Sequence, residues 1–185
     1  MSAWELPVSL NIGGKEWKIR SDFRAVLDAL KYFGDPEYES DEQWMICLDI
    51  LYEDFEHMPQ SLWSEAAEKV IDFIDMGIKD DGKRKPHTVD WEFDAPVIIP
   101  AINKVLGTEV RAAPYMHWWT FLGAYMEIGE SLFSQIVNIR EKKALHKKLE
   151  KYEKEFYNAN RNLINIPKRY SEEERREIEA IEKWL

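Results

Sequence analysis

Three acidic residues, Asp90, Glu92 and Asp94, alternate along the chain and are the first candidates for chemistry. On a β-strand they would share one face, where their carboxylates would resemble part of a divalent-cation site. The alternative is structural, a solvated edge followed by a helix cap, because Asp94 directly precedes a helical pattern. We favour the structural interpretation, since it accounts for Asp94 without a ligand. If instead the three residues do form a site, the protein is an enzyme with an unrecognised site near Asp90, Glu92 and Asp94.

A nucleophilic site would combine the single cysteine, Cys47, with a histidine, but no local pattern brings such a pair together. Cys47 falls on the apolar stripe of a predicted helix, which indicates a small core residue. For His117, which adjoins two tryptophans, we expect a buried ring that is hydrogen-bonded to backbone. The chain contains no signature of a phosphate-binding loop, a dinucleotide-binding loop, a serine hydrolase or a zinc protease. We therefore predict that the protein is not an enzyme and binds no cofactor and no metal ion.

The richest aromatic window is His117-Trp118-Trp119-Thr120-Phe121, inside a helix predicted from Pro114 to about residue 128. An apolar stripe with helical spacing runs along this helix. It consists of Trp118, Phe121, Leu122, Tyr125 and Ile128. We expect Trp118 in the core. Trp119 lies about 100° further around the helix, so it is the predicted exposed aromatic anchor.

The bulk composition narrows the possible functions. The chain has 185 residues and a formal net charge of −10, which disfavours nucleic-acid binding because such a field repels phosphates. No apolar run approaches the roughly 18 residues that a membrane helix needs, and the N-terminus lacks a secretion-signal pattern. One cysteine cannot form an intramolecular disulfide, which is typical of a reducing cytoplasm.

The N-terminal part predicts a β-hairpin followed by helices. Two alternating runs, residues 6–12 and 15–20, flank Gly13-Gly14 and predict a type I′ turn, which we expect the next helix to cover. Helices are predicted over about 21–33, 41–56, 61–76, 96–106 and 114–128, with Ser21, Asp41 and Asp94 as N-caps of the first, second and fourth. Pro100 predicts a late start or a kink in the fourth helix. Residues 108–113 are predicted to be extended, and the polar stretch 79–87 to be an exposed loop.

The C-terminal part predicts one long helix, from about Glu130 to Asn160, and a last helix that begins with a capping box at Ser171. A short heptad-like seam on the long helix is formed by Leu145, Leu149, Tyr152 and Phe156. The predicted fold is therefore mainly α, a helical domain with an N-terminal β-hairpin, a long helix and a C-terminal helical arm. We place the core domain at 1–140 and the arm at 141–185.

An apolar seam on a projecting arm must be covered by something. Three covers are open: the last helix folding back through Ile178, Ile181 and Trp184, a second copy of the chain, or a helical client. The predicted partner-binding residues are Trp119, Leu145, Leu149, Tyr152 and Phe156.

Three segments in order, VDWEFDAPVIIPAINKVLG, HWWTF and IVNIR, together with the opening LPVSLNIGGKEWKIRSDFR, resemble the bacteriophage gene-product-fifteen family. That family belongs to long-tailed phages of Gram-positive hosts. The likeness covers residues 6–140 well and the remainder loosely.

The resemblance implies a tail assembly chaperone that binds the tape-measure protein and promotes tail-tube assembly without catalysis. The implied partners are the tape-measure and tail-tube proteins, with a second copy of the chain as an option and with neither nucleic acid nor membrane. Such a chaperone works in the host cytoplasm and is absent from the mature virion. The alternative is a structural tail component that the virion retains.

Overall fold

In a computed structural model of the chain, residues 4–79, 82 and 86–182 are described, and they form a mainly helical protein with one N-terminal hairpin. The predicted fold class is confirmed. The elements are β1 (Ser9–Ile12), β2 (Lys15–Lys18), α1 (Phe23–Tyr32), α2 (Ser40–Leu51), α3 (Trp63–Ile74), α4 (Ala95–Leu106), α5 (Trp118–Met126), α6 (Leu132–Ala144), α7 (Lys151–Ala159), α8 (Arg161–Ile164) and α9 (Glu172–Glu182). The predicted loop at 79–87 lies largely outside the described residues, and Trp184 lies outside them altogether.

Contacts within the chain group it into two compact units. Unit 1 comprises Met1–Ile78, His117–Trp119 and Lys168–Leu185, and unit 2 comprises Lys79–Met116 and Thr120–Pro167. The boundary at Trp119 falls inside α5. The predicted division into residues 1–140 and 141–185 separates a core from an arm, and it stays a prediction.

The hairpin at the start of unit 1 has the predicted turn. Ile12 pairs with Lys15 and Leu10 with Trp17, and the two glycines between the strands have φ of 58° and 78°. Positive φ at both central positions is what a type I′ turn requires. The strands are shorter than predicted, and the helix that packs closely against β1 is α3, not α1. The backbone N–H of Gly13 faces the carboxylate of Glu65 on α3, 3.2 Å from its nearer oxygen.

Two N-caps in unit 1 lie one or two residues from their predicted positions. Asp22, not Ser21, caps α1, because its side chain accepts from the Arg24 N–H. In α2 the cap is Glu39, not Asp41, because Glu39 and Glu42 form a reciprocal capping box. The capping box predicted at Ser171 is present, with Ser171 Oγ accepting from the Glu174 N–H at 3.2 Å.

In unit 2, α4 begins at Ala95 and continues through Pro100, so the late start predicted there was wrong. Gly107 ends α4 in the left-handed region, at φ 69°. The next stretch is a 3₁₀ turn over Val110–Ala112 and not the predicted extended segment. Asn103 explains the turn, because its side chain donates to Glu109 and accepts from the Val110 N–H, which folds the chain back.

The predicted long helix from Glu130 to Asn160 was wrong, since α6 ends at Ala144 and α7 begins at Lys151. The chain leaves α6 through His146, which has φ 53°, while the Lys147 N–H donates to the Lys142 carbonyl at 2.7 Å. This is the bond pattern of a left-handed C-cap. The break lets α7 fold back onto α6, where Glu153 reaches Lys142.

The hairpin turn gives a direct test of the positive φ values. A Cβ at Gly13 would lie 3.0 Å from a Leu62 methyl, whereas a Cβ at Gly14 meets nothing within 4 Å. Gly14→Ala should therefore cost about 1–2 kcal/mol for the left-handed conformation alone. Gly13→Ala should cost more, because Leu62 must also move.

Urea denaturation measures both free energies of unfolding, and Gly34→Ala is the control. Gly34 has an ordinary φ, and a methyl group added there would meet nothing within 4 Å, so its replacement should be neutral or slightly stabilising. Equal stability of the Gly13, Gly14 and Gly34 variants would show that the turn is not the one described.

Candidate functional site

Both tryptophans at the start of α5 are buried, with Trp118 1% and Trp119 9% exposed. The prediction for Trp118 is confirmed, but the prediction that Trp119 is an exposed anchor was wrong. The two indole N–H groups donate to neighbouring carbonyls at the end of α3, Trp118 to Ile74 at 2.8 Å and Trp119 to Phe73 at 2.7 Å. Long side chains at the first turn of a helix can thus reach one target although their Cα positions diverge by about 100°.

His117 is buried and both its ring nitrogens are engaged with backbone, as predicted. Nδ1 accepts from the Trp119 N–H at 3.0 Å, so the proton resides on Nε2, which lies 2.9 Å from the Pro7 carbonyl. Burial lowers the pKa of His117, and the bond to Pro7 offsets part of that shift. A neutral, doubly hydrogen-bonded imidazole positions backbone and is not poised as a general base.

Cys47 lies in the core of unit 1, where the structure leaves it no exposed surface. Burial raises the pKa of its thiol to about 12. The reactive form of a cysteine is the thiolate, which such a pKa disfavours at neutral pH. The prediction of a small core residue is confirmed.

The acidic triplet lies in a turn, so the strand that would align its carboxylates is absent. Asp90 Oδ1 accepts from the Glu92 and Phe93 N–H groups at 3.0 and 2.8 Å. Asp94 is the residue before α4, but its side chain makes no cap hydrogen bond. It accepts instead from the Asp90 N–H at 2.9 Å. Within the described ranges, no three His, Cys, Asp or Glu side chains form a group that could hold a metal ion.

Asp94 pairs with Arg140 of α6 in the interior of unit 2, where the two side chains are 1% and 6% exposed. The pairing is bidentate, with Nη1 2.6 Å from Oδ2 and Nη2 2.8 Å from Oδ1. The three remaining N–H groups donate to carbonyls, Nε to Ile164, Nη1 to Thr88 and Nη2 to Leu163. All five guanidinium donors are therefore satisfied.

The role of Arg140 was missed in the sequence, although a signal was present. Phe133, Ile136 and Arg140 are spaced three and four residues apart, which places the arginine on the buried stripe of α6. An arginine on such a stripe needs a buried carboxylate, and Asp94 was the acid next to an apolar helix. The Asp94–Arg140 pair is a structural centre, because it fixes α4, α6 and α8 relative to one another within unit 2.

A second ionic cluster joins α6 to α7 at Glu153, which is 1% exposed. Its Oε1 lies 2.6 Å from Lys142 Nζ and 3.0 Å from Asn138 Nδ2, and its Oε2 accepts from the Glu150 N–H at 2.8 Å. The bond from Lys142, then that from the Glu150 backbone, lowers the pKa of Glu153. The carboxylate is charged at neutral pH and holds the turn between the two helices.

The four predicted seam residues fall into two pairs. Leu149 and Phe156 are half-buried and pack against Ile136, Ile139 and Ile164, so the chain itself covers this half of the seam. Leu145 and Tyr152 are 45% and 61% exposed. The last helix, α9, belongs to unit 1, and its Ile181 is 61% exposed. The exposed half of the seam is therefore Leu145 and Tyr152.

A model of the family described as Bacteriophage Gp15 protein matches residues 4–166 of the chain. No curated protein and no solved structure matches it. In the described part of the chain, no helix has the length and apolar character needed to cross a membrane.

The buried ion pair predicts a large loss of stability when one partner is removed. Arg140→Ala leaves Asp94 as an unpaired buried charge, so we expect a loss of about 3–5 kcal/mol in chemical denaturation. Arg140→Lys should recover only part of it, because an ammonium group has three donors and no bidentate geometry. Arg111→Ala is the control, since it breaks an arginine–carboxylate pair that is 66% and 41% exposed. A similar loss in both alanine variants would contradict the structural role of Arg140.

The cluster at Glu153 predicts a dependence of stability on acid. Because the folded-state pKa of Glu153 lies below its ordinary value of 4.5, its stabilisation is present above pH 4.5 and is lost as the pH falls through the folded pKa. Glu153→Gln should be less stable at pH 7 and should lose less on acidification than the parent chain. Denaturation midpoints between pH 3 and pH 7 measure this, with Glu155→Gln, an exposed acid on the same helix, as the control. Parallel pH profiles for the parent and Glu153→Gln would refute the role of this carboxylate.

Proposed function

The chain belongs to the bacteriophage Gp15 protein family, and on that premise we propose that it is a tail assembly chaperone. In this proposal it binds the tape-measure protein in the host cytoplasm, delivers tail-tube subunits to it, and is absent from the finished virion. The family points to a phage structural or morphogenesis protein, and the match over residues 4–166 is the observation that carries the proposal.

The use of the reactive side chains supports a role without catalysis. His117 and Asp90 hold backbone N–H groups, Cys47 is a buried thiol, and Asp94 is paired with Arg140. These four groups, which suggested chemistry in the sequence, thus have structural roles. The net charge of −10 suits a protein that keeps a client in solution and meets basic partner surfaces.

The exposed pair Leu145 and Tyr152 is the candidate client contact on unit 2. Both are large apolar or aromatic side chains near the turn between α6 and α7, and neither lies in the cluster formed with Ile136. Because Leu149 and Phe156 are packed within the unit, a client helix cannot use the whole heptad-like seam. A smaller apolar contact at the turn remains as the proposed mode.

The test is co-expression of the tagged chain with the tape-measure protein of the same phage. The parent chain should co-purify with it, and Leu145→Asp with Tyr152→Asp should reduce the recovered tape-measure protein severalfold, because two charges enter an apolar contact. Met45→Asp with Val105→Asp is the matched control, since these side chains are 47% and 41% exposed. Circular dichroism should show unchanged helix content in both.

Mass spectrometry of purified virions separates the chaperone from a retained tail component. A chaperone should be missing from the particles, and its presence at a fixed copy number would favour the structural role. Failure of the parent chain to co-purify with the tape-measure protein would refute the client proposed here.

A further inference from the structure

The hairpin of unit 1 has one outer edge that the chain pairs and one that is open among the residues that the structure describes. The Ile19 N–H donates to the Val8 carbonyl at 3.0 Å, which sets the phase of the antiparallel ladder. With the observed register, Leu10 and Ile12 then point their backbone groups toward β2. The backbone groups of Ser9 and Asn11 point the other way, toward the outer edge of β1.

The outer edge of β2 is covered by the chain itself. The Glu53 N–H donates to the Lys18 carbonyl at 3.1 Å, and Ile19 forms an antiparallel bridge with Tyr52. Along β1, the Pro7 carbonyl meets His117 Nε2, but among the described residues no backbone hydrogen bond pairs Ser9 or Asn11 with a third strand. An open strand edge is a template for another extended segment.

A groove of about 680 Å³ runs beside this edge. It is lined by residues 5–11, by Glu16 of β2, and by Glu65, Lys69 and Asp72 of α3. These three positions share one face of α3, because they are four and three residues apart. Clefts in which proteins bind ligands have volumes of roughly 300–1,000 Å³, and this groove falls in that range.

The charges that line the groove determine which sign of charge a bound segment should carry. Four carboxylates, Glu5, Glu16, Glu65 and Asp72, face one ammonium group, Lys69. Hydrogen bonds from the Ser9 hydroxyl at 2.7 Å and the Asn11 amide at 3.0 Å lower the pKa of Glu16, so this carboxylate stays ionised. A cationic segment is complementary to such a lining, and an acidic one is repelled.

The apolar residues beside the groove specify the pattern of its occupant. Leu6 and Val8 are 53% and 59% exposed, and they alternate in step with Leu10 and Ile12, which are buried. The apolar face of β1 thus continues past the part that is covered. A strand with an apolar residue at every second position would extend that face, with its charged residues on the other side.

We propose that the open edge of β1 binds an extended segment of a partner protein, in which basic and aliphatic residues alternate, as an added third strand. The backbone groups of Ser9 and Asn11 supply the main-chain hydrogen bonds, as in other cases of strand addition. The carboxylates of Glu5, Glu65 and Asp72 select lysine or arginine. This inference does not rest on the tail-assembly role, because it concerns unit 1 and no tape-measure protein enters its test.

The probe is a fluorescein-labelled octapeptide of alternating lysine and valine, titrated with the full chain in fluorescence anisotropy. It should bind, and a peptide with glutamate in place of lysine should not. Two further peptides carry N-methyl groups on the odd or on the even residues, which removes the donors along one edge of the peptide. One of the two should bind at least about tenfold more weakly, and the other should bind as the parent peptide does, because only one edge pairs with β1.

Matched variants of α3 test the site. Asp72→Lys should weaken the binding of the lysine–valine peptide severalfold and Lys69→Glu should strengthen it, while Glu68→Lys should have little effect because Glu68 does not line the groove. Amide hydrogen exchange adds an internal control, since the peptide should slow exchange at Ser9 and Asn11 but not at Leu10 and Ile12, which the ladder already protects.

Three results would overturn the proposal. The first is no binding of the lysine–valine peptide, and the second is equal binding of the two N-methylated peptides. The third is an equal loss of affinity in Glu68→Lys and Asp72→Lys, which would show a general charge effect and not the groove beside β1.

Discussion

A buried guanidinium must have every N–H hydrogen-bonded, and two separate segments of unit 2 meet this condition for Arg140. Its five donors reach Asp94, Thr88, Leu163 and Ile164, which lie between 23 and 52 residues away in the chain. One side chain therefore fixes the approach to α4, the start of α4 and the end of α8 against α6. Its removal would leave the buried Asp94 carboxylate and three carbonyls without the donors that they now have.

The same need governs the helix ends of unit 1. The last carbonyls of a helix have no partner within it. Arg20 Nη1 shares its two N–H groups among three carbonyls around the end of α2, those of Asp49, Ile50 and Tyr52, at 2.8–2.9 Å. The indole N–H groups of Trp118 and Trp119 donate in the same way to the last carbonyls of α3. Distant donors thus close the ends of α2, α3 and α8, so the packing of these helices depends on a few polar side chains as well as on apolar area.

Local rules recovered the parts of the fold that local chemistry decides. Gly13-Gly14 predicts its turn because only glycine adopts positive φ twice at low cost, and the apolar stripes of α1 and α3 follow from helical spacing. The prediction of one long helix from Glu130 to Asn160 was wrong because a tertiary contact, between α6 and α7, stabilises the break. Lys142 and Glu153 lie 11 residues apart, and the pair that joins α7 to α6 forms only once the chain has folded back; Glu153 is 1% and Lys142 28% exposed. The sequence next to either residue does not predict that the two will pair.

The candidate surfaces were harder to predict than the fold, because exposure is a property of the packed chain. Trp119 has the size of a partner anchor but reaches a carbonyl of α3, whereas Leu145 was read as part of a helix and lies beyond its end. The β1 edge shows the complementary case. The sequence predicts a strand within residues 6–12, but only the register shows which backbone groups face outward. Because Tyr52 and Glu53 cover β2, the open groups of Ser9 and Asn11 lie on the side that carries four carboxylates. An edge that is open, grooved and acidic resists pairing with a second copy of this acidic chain, and so favours a basic strand from elsewhere.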